Sequence, residues 1–218
     1  PSGPAGNLTL IADSLRMSDA HLLTTAAFSA ETQQAGNVTI NVVRDAQMVN
    51  STISAAGFFG GGGITITADS LLTDGTQFDT FTAFGPAEGI TFTGRTLELT
   101  NGSTWSTSTL GDVNAGDIFI TGTNHVSILG INGTNPLGAF NPSGFFSNSL
   151  GFFGSQGGAG NIVVTTPKLT MNEGRINTST ASKGSGGNVT INAGVIGISG
   201  EFPNPDVAEP IFGITDLH

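Results

Sequence analysis

Asp13 and Asp69 occupy the same place in two similar segments, six residues past Asn7 and Gly63 respectively. Carboxylates that recur at a fixed offset can stack, and stacked carboxylates bind calcium through oxygen. Asp is also a common turn residue, and at these two positions the turn reading is preferred. Polysaccharide hydrolysis needs paired acids, and lyase chemistry needs a cationic base beside acidic metal ligands. The six basic residues are Arg16, Arg44, Arg95, Lys168, Arg175 and Lys183, and none falls in an evident cluster with acids. His21, His125 and His218 are isolated from one another. There is no Tyr to build a sugar platform, and the single Trp, Trp105, aligns with Ile53, Phe78 and Ile176, which points it into a core. The Gly-rich runs FFGGGGITIT (58–67) and GGAGN (157–161) lack the Lys-Ser or Lys-Thr and the helix of a phosphate loop. They also lack the Asp of a calcium nonapeptide. The expectation is therefore no catalytic set, no metal and no cofactor: not an enzyme.

Those residues sit in a repeat, and the repeat decides where they lie. GNVTIN occurs at 36–41 and again, letter for letter, at 187–192. Degraded copies lie between and before them, anchored on Asn7, Asn37, Gly63, Gly89, Asp117, Asn161 and Asn188. The spacings are 30, 26, 26, 28, 44 and 27 residues. A fixed period of this size is the signature of a solenoid. Each copy holds three short apolar alternations separated by turn signals such as Asp74-Gly75, Asn101-Gly102 and Glu173-Gly174. No window carries a 3.6-residue apolar period. The pattern predicts an all-β chain: a right-handed parallel β-helix of about seven coils with three short strands per coil. One coil cannot bury its apolar face alone, so stacking supplies the core. Asn and Gly at the anchors suggest a left-handed backbone and a turn ladder, with amides bonding along the column.

The 218 residues form one elongated domain, 1–218. At about 4.8 Å per coil, seven coils make a rod about 34 Å long. No amphipathic capping helix is evident at either end, so the chain is expected to be a fragment of a longer array or to stack end to end on copies of itself. With six Lys plus Arg and a net charge of −10, nucleic acid and anionic membrane surfaces are poor partners. No apolar run approaches the ~20 residues of a membrane-spanning helix. The absence of Cys fits an exported chain whose core needs no disulfides.

AGNVTI (35–40), LELTNGSTWSTST (97–109), AGDIFITG (115–122) and LTMNEGRINTSTASKGSGGNVTINA (169–193) together resemble the repetitive body of filamentous-haemagglutinin-like exoproteins. The resemblance covers the whole chain and is nearest to large cyanobacterial members of that family. It implies a right-handed β-helix, two-partner secretion, an extracellular or bacterial cell-surface location, and a structural or adhesive role as a rod or fibre. The Asn-Pro-Asn motifs of the family's secretion domain have no match here. The alternative is a carbohydrate-binding or polysaccharide-cleaving β-helix.

Two stretches interrupt the period, INGTNPLGAFNPS (131–143) and EFPNPDVAEP (201–210). Excursions from one side of a solenoid often form its binding face. Asn135, Pro136, Phe140, Asn141 and Pro142 are the candidate partner-binding residues, with surface glycans, another cell, or a second copy of the chain as candidate partners. Phe28, Phe58, Phe59, Phe84, Phe152 and Phe153 all follow a third strand and are expected to stack inside one corner. Thr65-Ile66-Thr67 and Thr91-Phe92-Thr93 form adjacent Thr-x-Thr strands of the kind that match ice, although the neighbouring coils break the pattern.

Overall fold

The computed structural model describes residues 4–26, 34–134, 140–151 and 155–200, and among them there are strands and turns but no helix. Coil one runs through β1 (Leu8–Ala12), β2 (Leu15–Ser18) and β3 (His21–Leu23). Coil two runs through β4 (Val38–Val42), β5 (Asp45–Val49) and β6 (Thr52–Ser54). Coil three is β7 (Ile64–Asp74) and β8 (Gln77–Thr82), and coil four is β9 (Ile90–Thr100) and β10 (Thr104–Thr109). Coil five has β11 (Ile118–Leu129), an extra pair β12 (Ile131–Thr134) and β13 (Phe140–Pro142), and β14 (Gly144–Ser149). Coil six is β15 (Ile162–Asn172) and β16 (Arg175–Thr180), and β17 (Val189–Ser199) begins coil seven.

Equivalent strands stack in parallel and in chain order. The larger sheet follows β1-β4-β7-β9-β11-β15-β17, and the smaller follows β3-β6-β8-β10-β14-β16. The fold is thus a parallel β-solenoid of about six turns with the first rung of a seventh. Registers match like with like: Ile64 pairs with Ile90, Ile90 with Ile118, and Ile118 with Ile162. All four are fully buried. Each such side chain contributes roughly 1.5–3 kcal/mol of burial.

The three-segment coil is present, but its first corner is not a break from coil three onward. In β7 the buried positions are Ile64, Ile66 and Ala68, then Leu71 and Thr73. The alternation slips by one at Asp69-Ser70, so a single hydrogen-bonded strand bends there and serves two faces. The period-2 side-chain rule requires such a slip wherever a continuous strand turns its inner face around a corner.

The anchors correct one expectation. None of Asn7, Asn37, Gly63, Gly89, Asp117, Asn161 and Asn188 has a positive φ. The Asn and Asp side chains bond along the axis as expected of the column, which Gly63 and Gly89, with no side chain, interrupt between coils three and five. The Oδ1 of Asn7 accepts the Asn37 amide at 2.8 Å, and that of Asn37 accepts the Gly63 amide at 2.7 Å. The Oδ1 of Asp117 accepts the Asn161 amide at 2.6 Å, and that of Asn161 accepts the Asn188 amide at 3.0 Å. Left-handed residues gather at the corner before the third strand, at Asp19, Asn50, Gly75, Asn101, Gly102 and Glu173. A buried hydroxyl column lines that corner. The Ser51 amide donates to Thr76 Oγ1, the Thr76 amide to Ser103 Oγ, and the Gly102 amide to Ser143 Oγ.

The third strands hold an apolar row and then hydroxyls. Ile53, Phe78, Trp105, Phe145 and Ile176 are in register, and all but the half-buried Ile176 are fully buried. Two residues further on, the inward side chains are Thr80, Thr107, Ser147 and Thr178. Each donates to a backbone carbonyl just before an anchor: Thr80 to Glu88, Thr107 and Ser147 to Gly116, and Thr178 to Gly187. Replacing Thr107 with Val keeps the shape, removes the donor and leaves a buried carbonyl with one partner fewer. The expected loss is about 1–2 kcal/mol in urea unfolding, and an unchanged midpoint would show that the hydroxyl row is dispensable.

Candidate binding groove

The excursion at 131–143 is an antiparallel hairpin, with Ile131 opposite Pro142 and Thr134 opposite Phe140. It leaves the solenoid where β11 would otherwise pass directly to β14. Its base is fixed by Ser143, which is fully buried, donates to the Leu129 carbonyl at 2.8 Å and accepts the Gly102 amide at 3.0 Å. The hairpin lies close to the coil-four turn: a Cβ on Gly102 would stand 2.7 Å from the Asn132 Cβ. Gly102 also has φ +76°, so two independent constraints select glycine there.

Between the hairpin and the outer face of the smaller sheet is a groove of about 430 Å³. Its floor comes from the outward positions of four successive third strands, including Gln77 on β8, Thr104 and Ser106 on β10, and Asn148 on β14. Phe146 and Arg175 complete the floor, and Asn132, Asn141 and Pro142 supply the hairpin wall. Gln77, Thr104, Gly144 and Arg175 are in one registered row. Gly144 is buried, and a Cβ there would meet the Arg175 carbonyl oxygen, so the backbone of β16 packs directly against it. Phe146 is half-buried, in register with Ser106.

Of the excursion residues singled out in the sequence, Asn141 and Pro142 line this groove. Phe140 belongs to β13. Asn135 and Pro136 lie outside the described residues, as does the whole excursion at 201–210. The floor was missed. Its signal was available in the outward, alternate residues of β8, β10, β14 and β16, once the hairpin is placed over them.

The charged residues also fall differently from expectation. Arg44 pairs with Asp13, and Arg95 with Asp69, so two bases do meet acids. Arg95 Nε and Nη2 both reach the Asp69 carboxylate, at 3.0–3.2 Å. The hydrogen bond to Asp69, then that residue's charge, raise the Arg95 pKa above its ordinary value. Both pairs are exposed, where such bridges contribute little. They occupy the corner positions that stacked carboxylates would need for calcium. No group of three His, Asp or Glu able to hold a metal occurs among the described residues. His125 Nε2 is 3.0 Å from Thr170 Oγ1. Burial first, then Lys168, lowers its pKa. His21 is exposed in coil one, and His218 lies outside the described residues.

Phe58, Phe59 and Phe84 pack edge-on or tilted with centroids 5.0–6.2 Å apart. Phe84 remains 59% exposed, so these three form a surface cluster and not a stack inside the corner. Phe28, Phe152 and Phe153 lie outside the described residues. On the larger sheet, Thr67, Thr93, Thr121 and Thr165 form one exposed registered row, longer than the sequence suggests. The companion row runs Thr65, Thr91, Phe119 and Val163, and its last two members break the array.

No protein-family model matches the chain, and no curated protein or solved structure matches it.

Proposed function

We propose that this chain is a structural and adhesive rod segment of an extracellular bacterial surface protein of the filamentous-haemagglutinin-like kind. The observation that carries the reading is the axial direction of its polar chemistry. Anchor amides, the corner hydroxyl column and the backbone ladders all bond one coil to the next. A chain built so that each coil templates its neighbour makes length, and length suits a fibre or stalk. The extracellular location and the family rest on the resemblance of the repeat. Self-association end to end belongs to the same reading and rests on the stacking of like coils.

Electron microscopy at rising protein concentration tests it. The expected result is thin fibres with an axial repeat of about 4.8 Å. Dispersed short rods at every concentration would remove self-assembly and leave a spacer role. Compact particles without the axial repeat would remove the rod itself. Attachment to cells is the second readout, and deletion of 131–142, which spares the buried Ser143, is expected to abolish it. The groove favours the carbohydrate-directed alternative. Its cleaving version requires a loss of polysaccharide viscosity on adding the protein.

A further inference from the structure

We propose that the groove between the β12–β13 hairpin and the outer face of β8, β10, β14 and β16 binds a hydroxyl-rich oligosaccharide. This deepens the adhesive reading and rests on it for biological context, but the binding chemistry stands on the groove alone.

Four amide-bearing residues line the space from two sides, Gln77 and Asn148 from the floor and Asn132 and Asn141 from the hairpin; the Asn148 Oδ1 also accepts from Ser179 Oγ at 2.8 Å, which fixes that amide and leaves its NH2 to donate. An amide both donates and accepts, and so does a sugar hydroxyl. Thr104 and Ser106 add groups of the same dual character. Opposed amides are therefore matched to a ligand that offers hydroxyls on both edges. Among the described lining residues Phe146 supplies the aromatic surface, half-buried and in register with Ser106, where the apolar C–H face of a sugar ring can lie. The groove, about 430 Å³, is half-open to solvent and more polar than apolar, which suits a hydroxyl-rich ligand better than an apolar one.

The other ligand classes fit less well. A polyphosphate or nucleic acid needs clustered cations, and Arg175 is the one Lys or Arg lining a groove in a chain of net charge −10. An added peptide strand needs an open sheet edge. Here the floor strands β10 and β14 are paired on both sides, so their backbone groups are engaged. Side chains alone are presented to the ligand.

The test is titration calorimetry with gluco-, xylo-, manno- and galacturono-oligosaccharides of three to six sugars, using the full chain. At least one is expected to bind with a Kd between about 10 μM and 1 mM. Phe146→Ala combined with Asn148→Ala is expected to weaken that binding at least tenfold. Both side chains face outward, and the near-ultraviolet circular dichroism of Trp105 reports whether the fold survives. Saturable binding by no member of the series at about 5 mM overturns the proposal, as does binding that the paired variant leaves unchanged. The readout is independent of fibre formation, so failure here and failure of the rod reading are separable.

Discussion

Trp105→Ala is expected to cost about 3–5 kcal/mol of unfolding free energy, the range for truncating a large, fully buried aromatic side chain. Trp105 is fully buried at the middle of the array. Its ring centroid lies 4.7 Å from that of Phe78, 5.8 Å from Phe145 and 6.3 Å from Phe92. It therefore contacts the coils on either side within its own sheet and the opposing sheet through Phe92. A solenoid is stabilised coil by coil through nearest-neighbour interfaces. A cavity in coil four weakens two of those interfaces at once, so unfolding should broaden as well as shift. Trp105→Phe separates volume from polarity. The indole Nε1 is buried without a hydrogen-bond partner, which costs about 1–3 kcal/mol in the wild type. Phe loses packing but removes that unpaired donor, so its net cost should stay below about 2 kcal/mol. Urea unfolding followed by far-ultraviolet circular dichroism measures both. Equal losses for Ala and Phe would mean that the indole N–H is not the liability described. An unaffected Ala variant would remove Trp105 from the core.

The placement of Trp105 was legible in the sequence because third strands align by their turn signals, which put Ile53, Phe78, Trp105 and Ile176 in one column. The solenoid was legible for the same reason: its turns and its apolar alternation recur at one period, and stacking makes that period structural. The inner hydroxyl rows were not. Thr107 and Ser147 share the inward face of Trp105 and Phe145, and only the position of the corner carbonyl of Gly116 shows why a hydroxyl belongs there. The ion pairs were hidden too, since Asp69 and Arg95 are 26 residues apart and meet because one coil is about that long. Half of the groove could be read, because an interruption in a period marks where the chain leaves the rod. The other half comes from outward residues of ordinary rungs, whose role depends on which way the hairpin leans, and nothing in the period encodes that direction.

Asp79→Asn is expected to stabilise the protein by about 2 kcal/mol at pH 7. Asp79 is on an outward position of β8, in register with Ser54 and Ser106. Burial pushes its pKa up from 3.8 to about 6. That displacement corresponds to about 3 kcal/mol against the charged form in the fold. Asn removes the charge but keeps a buried amide that also needs partners, so part of the gain is lost. Between pH 4 and 6 the folded chain keeps the Asp79 proton that the unfolded chain has released. The native state then binds more protons than the unfolded one, and stability must fall as pH rises through this window. This contribution is most favourable below about pH 4 and levels off above about pH 6. The variant carries no such titration. The gap between the two proteins should therefore open from pH 4 to 6 in favour of Asn and remain constant from 6 to 7.5. Urea midpoints of both proteins across that range measure it, and parallel curves would show that the Asp79 carboxylate is solvated in the fold. Asp79 also adjoins the groove floor through Gln77 on its own strand and Ser106 on the next. If an oligosaccharide excludes water there, its affinity should be higher at pH 5, with the carboxyl neutral, than at pH 7, and Asp79→Asn should abolish that difference.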